Sequence, residues 1–298
     1  MPGDFFGLPI FNLTNPYVRL EYLAEAGPRI VRLFLGDSDH NILAEMPEIT
    51  WGTPYGDYWI RGGHRLWHAP EAFPRTYIPD NDGLVVENIE GGVRLIQPTE
   101  VETGIGKSIE IRLSGDRPAV HLRHELKNNG PTPVTLAPWA ITQFPLGGVV
   151  IMPQQIDPLD ETGRLPNRHL VLWPYTRWQD PRLELHDDFI LLHGNAQRPP
   201  CKVGYLNRQG WSGYLRSGFF FLKRFDAPVS ESYPDYGCNT EFYCNHQFVE
   251  VESLGTLGEI APGQAVHHTE TWEIYHTPAI PESYEGVLAL VKSLNLEI

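Results

Sequence analysis

Apolar and polar residues alternate with a period of two along most of the chain, which is the repeat of a strand with one buried face. The pattern is clearest in "KSIEIRLSGDRPAVHLRHELKNNGPTPVTLAPWAITQF", where Ser108–Leu113, Ala119–Lys127 and Val134–Phe144 are separated by the turn-forming "SGDRP" and "NNGPTP". These three segments predict an antiparallel meander. Further strands are expected in "YVRLEYLAEAGPRIVRLFLGD", "SGFFFLKRF", "HQFVEVESL" and "APGQAVHHTETWEIY". The 27 prolines and 28 glycines are spread along the sequence, as suits many short strands joined by turns.

One segment keeps a helical period instead. Pro281 and Glu282 open "PESYEGVLALVKSLN", in which Val287, Leu290, Val291 and Leu294 recur at i, i+3, i+4 and i+7. This C-terminal helix is expected to cap one edge or end of the sheets. The fold class is therefore all-β: a large antiparallel sandwich of two extended sheets, forming one domain over residues 1–298. Residues 157–182, "DPLDETGRLPNRHLVLWPYTRWQDPR", form an insertion rich in aromatics, Pro and Arg, expected as a lid or cleft wall.

Composition narrows the partners. A formal charge of −14 with no basic run argues against nucleic acid or an anionic membrane, since phosphate binding needs clustered Lys and Arg. The start lacks the basic and apolar regions of a secretory signal, and no apolar run approaches the roughly 18 residues of a membrane span. Cys201, Cys238 and Cys244 are an odd set without metal-site spacing, so a reducing cytoplasm is the expected compartment, with neither metal nor cofactor.

Several motifs fail on inspection. "ETGIGKS" ends like a phosphate-binding loop, but Val101 stands where the first glycine is required. In "HHTE", strand geometry puts His268 and Glu270 on one face and His267 and Thr269 on the other, so at most two ligands converge and an ordinary edge strand is expected. His124 shares its face with Val120, Leu122 and Leu126, and is expected in the core.

"YWIRGGHRLWHAPEAF" (Tyr58–Phe73) survives. It gathers arginines, histidines and large aromatic rings around a Gly-Gly turn, the mixture a sugar site needs: rings pack on the apolar side of a pyranose while Arg, His and carboxylates bond its hydroxyls. Arg61, Gly62, Gly63 and Pro70 resemble the "IRGG-I-P-x-x-x-P" stretch of hexose-phosphate mutarotases in the galactose mutarotase-like, or aldose 1-epimerase, superfamily. The closing segment, with Val251–Glu252 followed by "APGQ", and the opening hairpin are similar to that superfamily as well. "GGHRLWHAPE" and "FVEVESLG" look closest to its uncharacterised DUF4380-type members.

The resemblance implies a β-supersandwich and a sugar site with Glu252 as general base. An epimerase needs an acid and a base within hydrogen-bond reach of one sugar. The family's acidic histidine is missing, because the matching stretch here reads "APWAITQF". His64 is then the expected acid, with His68 as the other candidate, and Arg61, Arg65, Trp67, His68, Trp139, Gln143 and Glu250 are the expected sugar-binding residues. The ligand implied is a sugar or sugar phosphate. Two other readings stand beside the epimerase: a carbohydrate-binding protein that lacks the acid, and a glycosidase using Glu250 and Glu252. The last is disfavoured, since residues i and i+2 lie on one side of one strand and seldom bracket a bond.

Overall fold

The computed structural model describes residues 3–216, 218–277 and 284–297. Among these, strands dominate and pair antiparallel throughout, in an eleven-stranded sheet, a ten-stranded sheet and one separate hairpin, Glu45–Thr53 with Gly56–Gly62. Leu66, Leu136, Phe144, Val249 and Val251 of the larger sheet pack against Ile109, Val150, Met152, Phe221 and Trp272 of the smaller, so the main core lies between the sheets. The all-β sandwich expected from the alternation is the observed architecture.

The opening hairpin forms as expected, Val18–Leu23 against Arg29–Leu35. The expected meander does not. Ile105–Leu113 pairs with Ala119–Asn128 in the smaller sheet, but Val134–Pro145 crosses to the larger one, between His64–Ala69 and Phe248–Leu254. Its composition explains the crossing. Ala137, Trp139 and Ile141 lie on one face and Leu136 and Phe144 on the other, so both sides are apolar and need cover. "NNGPTP" is thus a corner between sheets.

Two further expectations are corrected. Ala265–Thr277, which carries "HHTE", is a central strand bonded on both sides, by Ala119–Asn128 and Gly218–Phe225. The C-terminal helix, Tyr284–Ser293, covers a face instead of an edge: Val287 and Val291 pack on Ile151, Phe189, Leu191, Trp211 and Phe220, on the outer side of the smaller sheet. The expected start at Pro281 and Glu282 lies outside the described residues.

Candidate functional site

The outer face of the larger sheet carries polar residues where alternation would place them. Backbone register sets Arg65, Ile141, Glu252 and Glu241 side by side across four strands, and Gln143, Glu250, Tyr243 and Lys202 in the next row. Trp67 and Trp139 pair in the row on the other side. Glu250 and Glu252 share this face, as period two requires.

The Gly62-Gly63 turn steers the chain into this face. Both glycines have positive φ, and a Cβ would stand 2.1 Å from the Ala44 carbonyl oxygen at Gly62 and 1.9 Å from that of Ile30 at Gly63. Only glycine permits this close approach. The hairpin before the turn folds back over the sheet, bringing Trp51 and Tyr58 onto Trp67.

A cavity of about 340 Å³ results, walled by Trp51, Trp67, Tyr77, Trp139, Tyr175, Tyr243 and Phe248. Its polar lining is Arg65, Glu71, Lys202, Asn245, Gln247 and Glu250. Residues 157–182 supply Tyr175 to this wall, and behind it the Trp173 ring lies 4.6 Å from the Lys202 ammonium.

Each cation of the floor is paired. Arg65 donates from Nη2 to Glu250 Oε1 at 2.9 Å and stacks 4.2 Å from the Trp67 ring. Lys202 Nζ lies 2.6 Å from Glu241 Oε2 and 3.1 Å from Glu252 Oε2, and Trp139 Nε1 donates to that same Glu252 oxygen at 2.6 Å. Burial opposes the charge of Lys202, yet Glu241 and Glu252 outweigh it and hold its pKa well above the ordinary value. Burial also raises the Glu241 carboxyl, with Glu252 adding to the rise against the pull of Lys202. Glu250 is raised for the same first reason, Arg65 opposing. Two carboxylates around one buried ammonium carry an excess negative charge, which favours a proton shared within the pair.

The expected site residues divide. Arg65, Trp67, Trp139 and Glu250 line the cavity. Glu252 does not: it is fully buried beneath Lys202 and Trp139. Gln143 lies on the same face, buried beside the Glu250 strand and away from the cavity lining. Arg61 turns away, bonding Asp80 Oδ1 at 3.0 Å and Asn81 Oδ1 at 2.7 Å, and lines a separate hollow with Phe6 and Trp59.

His64 and His68 correct the expectation of a relocated acid. Alternation along His64–Ala69 puts them on the side opposite Arg65 and Trp67. His68 Nε2 lies 3.4 Å from Glu100, which Lys107 also contacts. His64 bonds His124 across the sandwich at 2.8 Å. Neither histidine reaches the cavity. The residues missed in the sequence are Lys202 and Glu241, each a lone charge in a short apolar strand, "CKVGY" and "TEFYC". That isolation was the available signal, but their meeting depends on the order of strands.

Behind the floor lies a second polar cluster. His124, expected in the core, donates from Nδ1 to the His268 carbonyl oxygen at 3.1 Å, accepts from His64 Nε2, and leaves His64 Nδ1 to accept from Thr142 Oγ1 at 2.9 Å. Ser253 Oγ donates to Glu270 Oε1 at 2.5 Å and accepts from His268 Nε2 at 2.6 Å. His64, His124 and Glu270 bring potential metal-ligand atoms within 4.8 Å of one another. Lys223 Nζ, 2.8 Å from Glu270 Oε1, already supplies the cation there, and a divalent ion beside it would leave buried positive charge uncompensated.

Neither a protein-family model nor a curated protein sequence matches the chain. Solved structures do. A galactose mutarotase-like protein from Lactobacillus casei ATCC 334 is similar with a TM-score of 0.59 at 11% identity, over 89% of this chain and 100% of that one. A galactose mutarotase-like protein from Clostridium acetobutylicum has a TM-score of 0.55 at 8% identity, over 93% of this chain and 98% of that one. A TPR-domain containing protein from Parabacteroides distasonis ATCC 8503 has a TM-score of 0.60 at 14% identity; 93% of this chain is covered, but only 50% of that one, so this chain spans about half its length. The fold is that of the galactose mutarotase-like proteins. Among the described residues, no helix is long and apolar enough to cross a membrane.

Proposed function

We propose that the protein binds a neutral sugar in the aromatic-walled cavity. The observation that carries this reading is the pairing of aromatic walls with a polar floor whose charges are already balanced, Arg65 by Glu250 and Lys202 by Glu252. Rings of this kind pack on the apolar face of a pyranose, and the few polar groups among them orient its hydroxyls. Arg61 lies outside this cavity and the charge of Arg65 is matched by Glu250, which favours a neutral sugar over a sugar phosphate. The similar folds named above support the class of ligand. Calorimetric titration with a panel of neutral sugars is the test: saturable binding is expected, and no heat from any member sinks the proposal.

Anomer interconversion, the aldose 1-epimerase reaction, is the second reading. One observation favours it: Glu250 opens on the cavity and its carboxyl is raised, which suits a group that takes and returns a proton. Glu252, the base implied by resemblance, would need Lys202 to move aside before it met a sugar. NMR of freshly dissolved anomers decides. Exchange faster than in buffer alone supports the enzyme, and a rate equal to buffer leaves a binding protein.

A further inference from the structure

We infer that the cleft holds an oligosaccharide, with a sugar unit beyond the cavity resting on the rim at Phe73 and Trp51. The inference rests on the carbohydrate reading above and names the class of ligand more closely. Its basis is a continuous path of rings from floor to solvent. Trp139 meets Trp67 at 5.3 Å between centroids, Trp67 meets Tyr77 at 5.0 Å, and Tyr77 meets both Trp51 at 5.4 Å and Phe73 at 6.0 Å.

Exposure rises along that path. Trp139 and Trp67 are buried, whereas Trp51 is 40% exposed and Phe73 66%. A single exposed ring needs no explanation, but rings contiguous with a ligand cavity extend its binding surface. The cavity itself, about 340 Å³, is near the small end for ligand sites, so a longer chain must extend beyond it, and the exposed rings of Trp51 and Phe73 offer it a surface.

Phe73 is also held in place. Thr76 N donates to the Ala72 carbonyl oxygen at 2.8 Å, Ala72 N to Thr76 Oγ1 at 2.9 Å, and Tyr77 N to the Pro74 carbonyl oxygen at 2.9 Å. This closed turn presents the ring to solvent in a set position, so little ordering entropy is lost when a sugar stacks on it. Glu71, on the same turn, accepts from the Tyr77 hydroxyl and faces the cavity, placing an acceptor for sugar hydroxyls between the inner and outer positions.

The experiment is calorimetry on the full chain with mono- and tetrasaccharides of the gluco, galacto, manno and xylo series, repeated with Phe73→Ala. In the series that binds, the tetrasaccharide is expected to bind about tenfold more tightly than the monosaccharide. Phe73→Ala is expected to cut tetrasaccharide affinity by about fivefold and to leave the monosaccharide value and the melting temperature unchanged. Equal affinities for short and long sugars, or equal weakening of both by Phe73→Ala, overturn this inference while the carbohydrate reading stands. Binding of no sugar overturns both.

Discussion

The ammonium of Lys202 stands 3.1 Å from Oε2 of Glu252 and, with the indole of Trp139 2.6 Å from the same oxygen, closes that carboxylate off from the cleft. The residue that resembles a catalytic base is therefore an internal anion, tied to a cation that does face the cavity. Glu241 completes the group from the other side, 2.6 Å from Lys202.

Lys202→Met is expected to destabilise the protein by about 3–5 kcal/mol, because it strands buried Glu252 without its partner. Glu241→Gln is expected to cost less than about 1 kcal/mol, since burial raises the Glu241 carboxyl toward its neutral form and a neutral amide of the same shape replaces it. Urea unfolding at neutral pH compares the two. An equal loss from both would mean that Glu241 is ionised in the fold.

Arg65→Lys keeps the charge beside Glu250 but loses the flat guanidinium stacked on Trp67. Sugar affinity is expected to fall about tenfold with little change in the unfolding midpoint. Unchanged affinity in a calorimetric titration would show that Arg65 only supports the floor.

Stability is expected to decline as pH falls from about 6.5, the unfolded histidine value. Burial lowers His64, His124 and His268, the last to about 3, so the folded state refuses protons that the unfolded chain takes up. Glu270 acts in the same direction. Burial opposes its charge, but Lys223 holds its pKa below the usual value, and that contribution is present above the unfolded carboxylate range and lost below it. Glu241 and Glu250, both raised, act oppositely: their contribution is complete at low pH and disappears as pH rises through their folded values. Thermal scans from pH 8 to 4 with the wild type and His268→Asn check the sign. The variant should show the shallower loss.

Gly63→Ala is expected to cost at least about 3 kcal/mol, from the positive φ and the clash with the Ile30 carbonyl together. Soluble yield and melting temperature read the result. A near-neutral outcome would mean that the turn relaxes and that Arg65 is not held by it.

The alternating pattern predicted the strands well because each reports its own faces, and the opening hairpin and Phe248–Leu254 formed where expected. It did not predict that Val134–Pro145 leaves its neighbour for the other sheet, since the partner is chosen by what must cover its second apolar face. The same alternation puts Arg65 and His64 on opposite faces of one strand, a signal that the expectation of both in one cleft passed over. Lys202 and Glu241 were hidden for another reason. They are 39 residues apart in sequence and meet only because Cys201–Tyr205 lies beside Thr240–Cys244 in the sheet.

Phe248–Leu254 is gripped from both sides: Glu250 and Glu252 are tied to Arg65 and Lys202 in front, while Ser253 is bonded to His268 and Glu270 behind. A slab pinned in this way has no slack with which to reshape itself around a new guest. Whoever wants to retune what the cleft accepts should leave that slab untouched and rewrite its border, at Phe73, Trp51 and Tyr175, where a side chain can be exchanged without undoing the knots beneath.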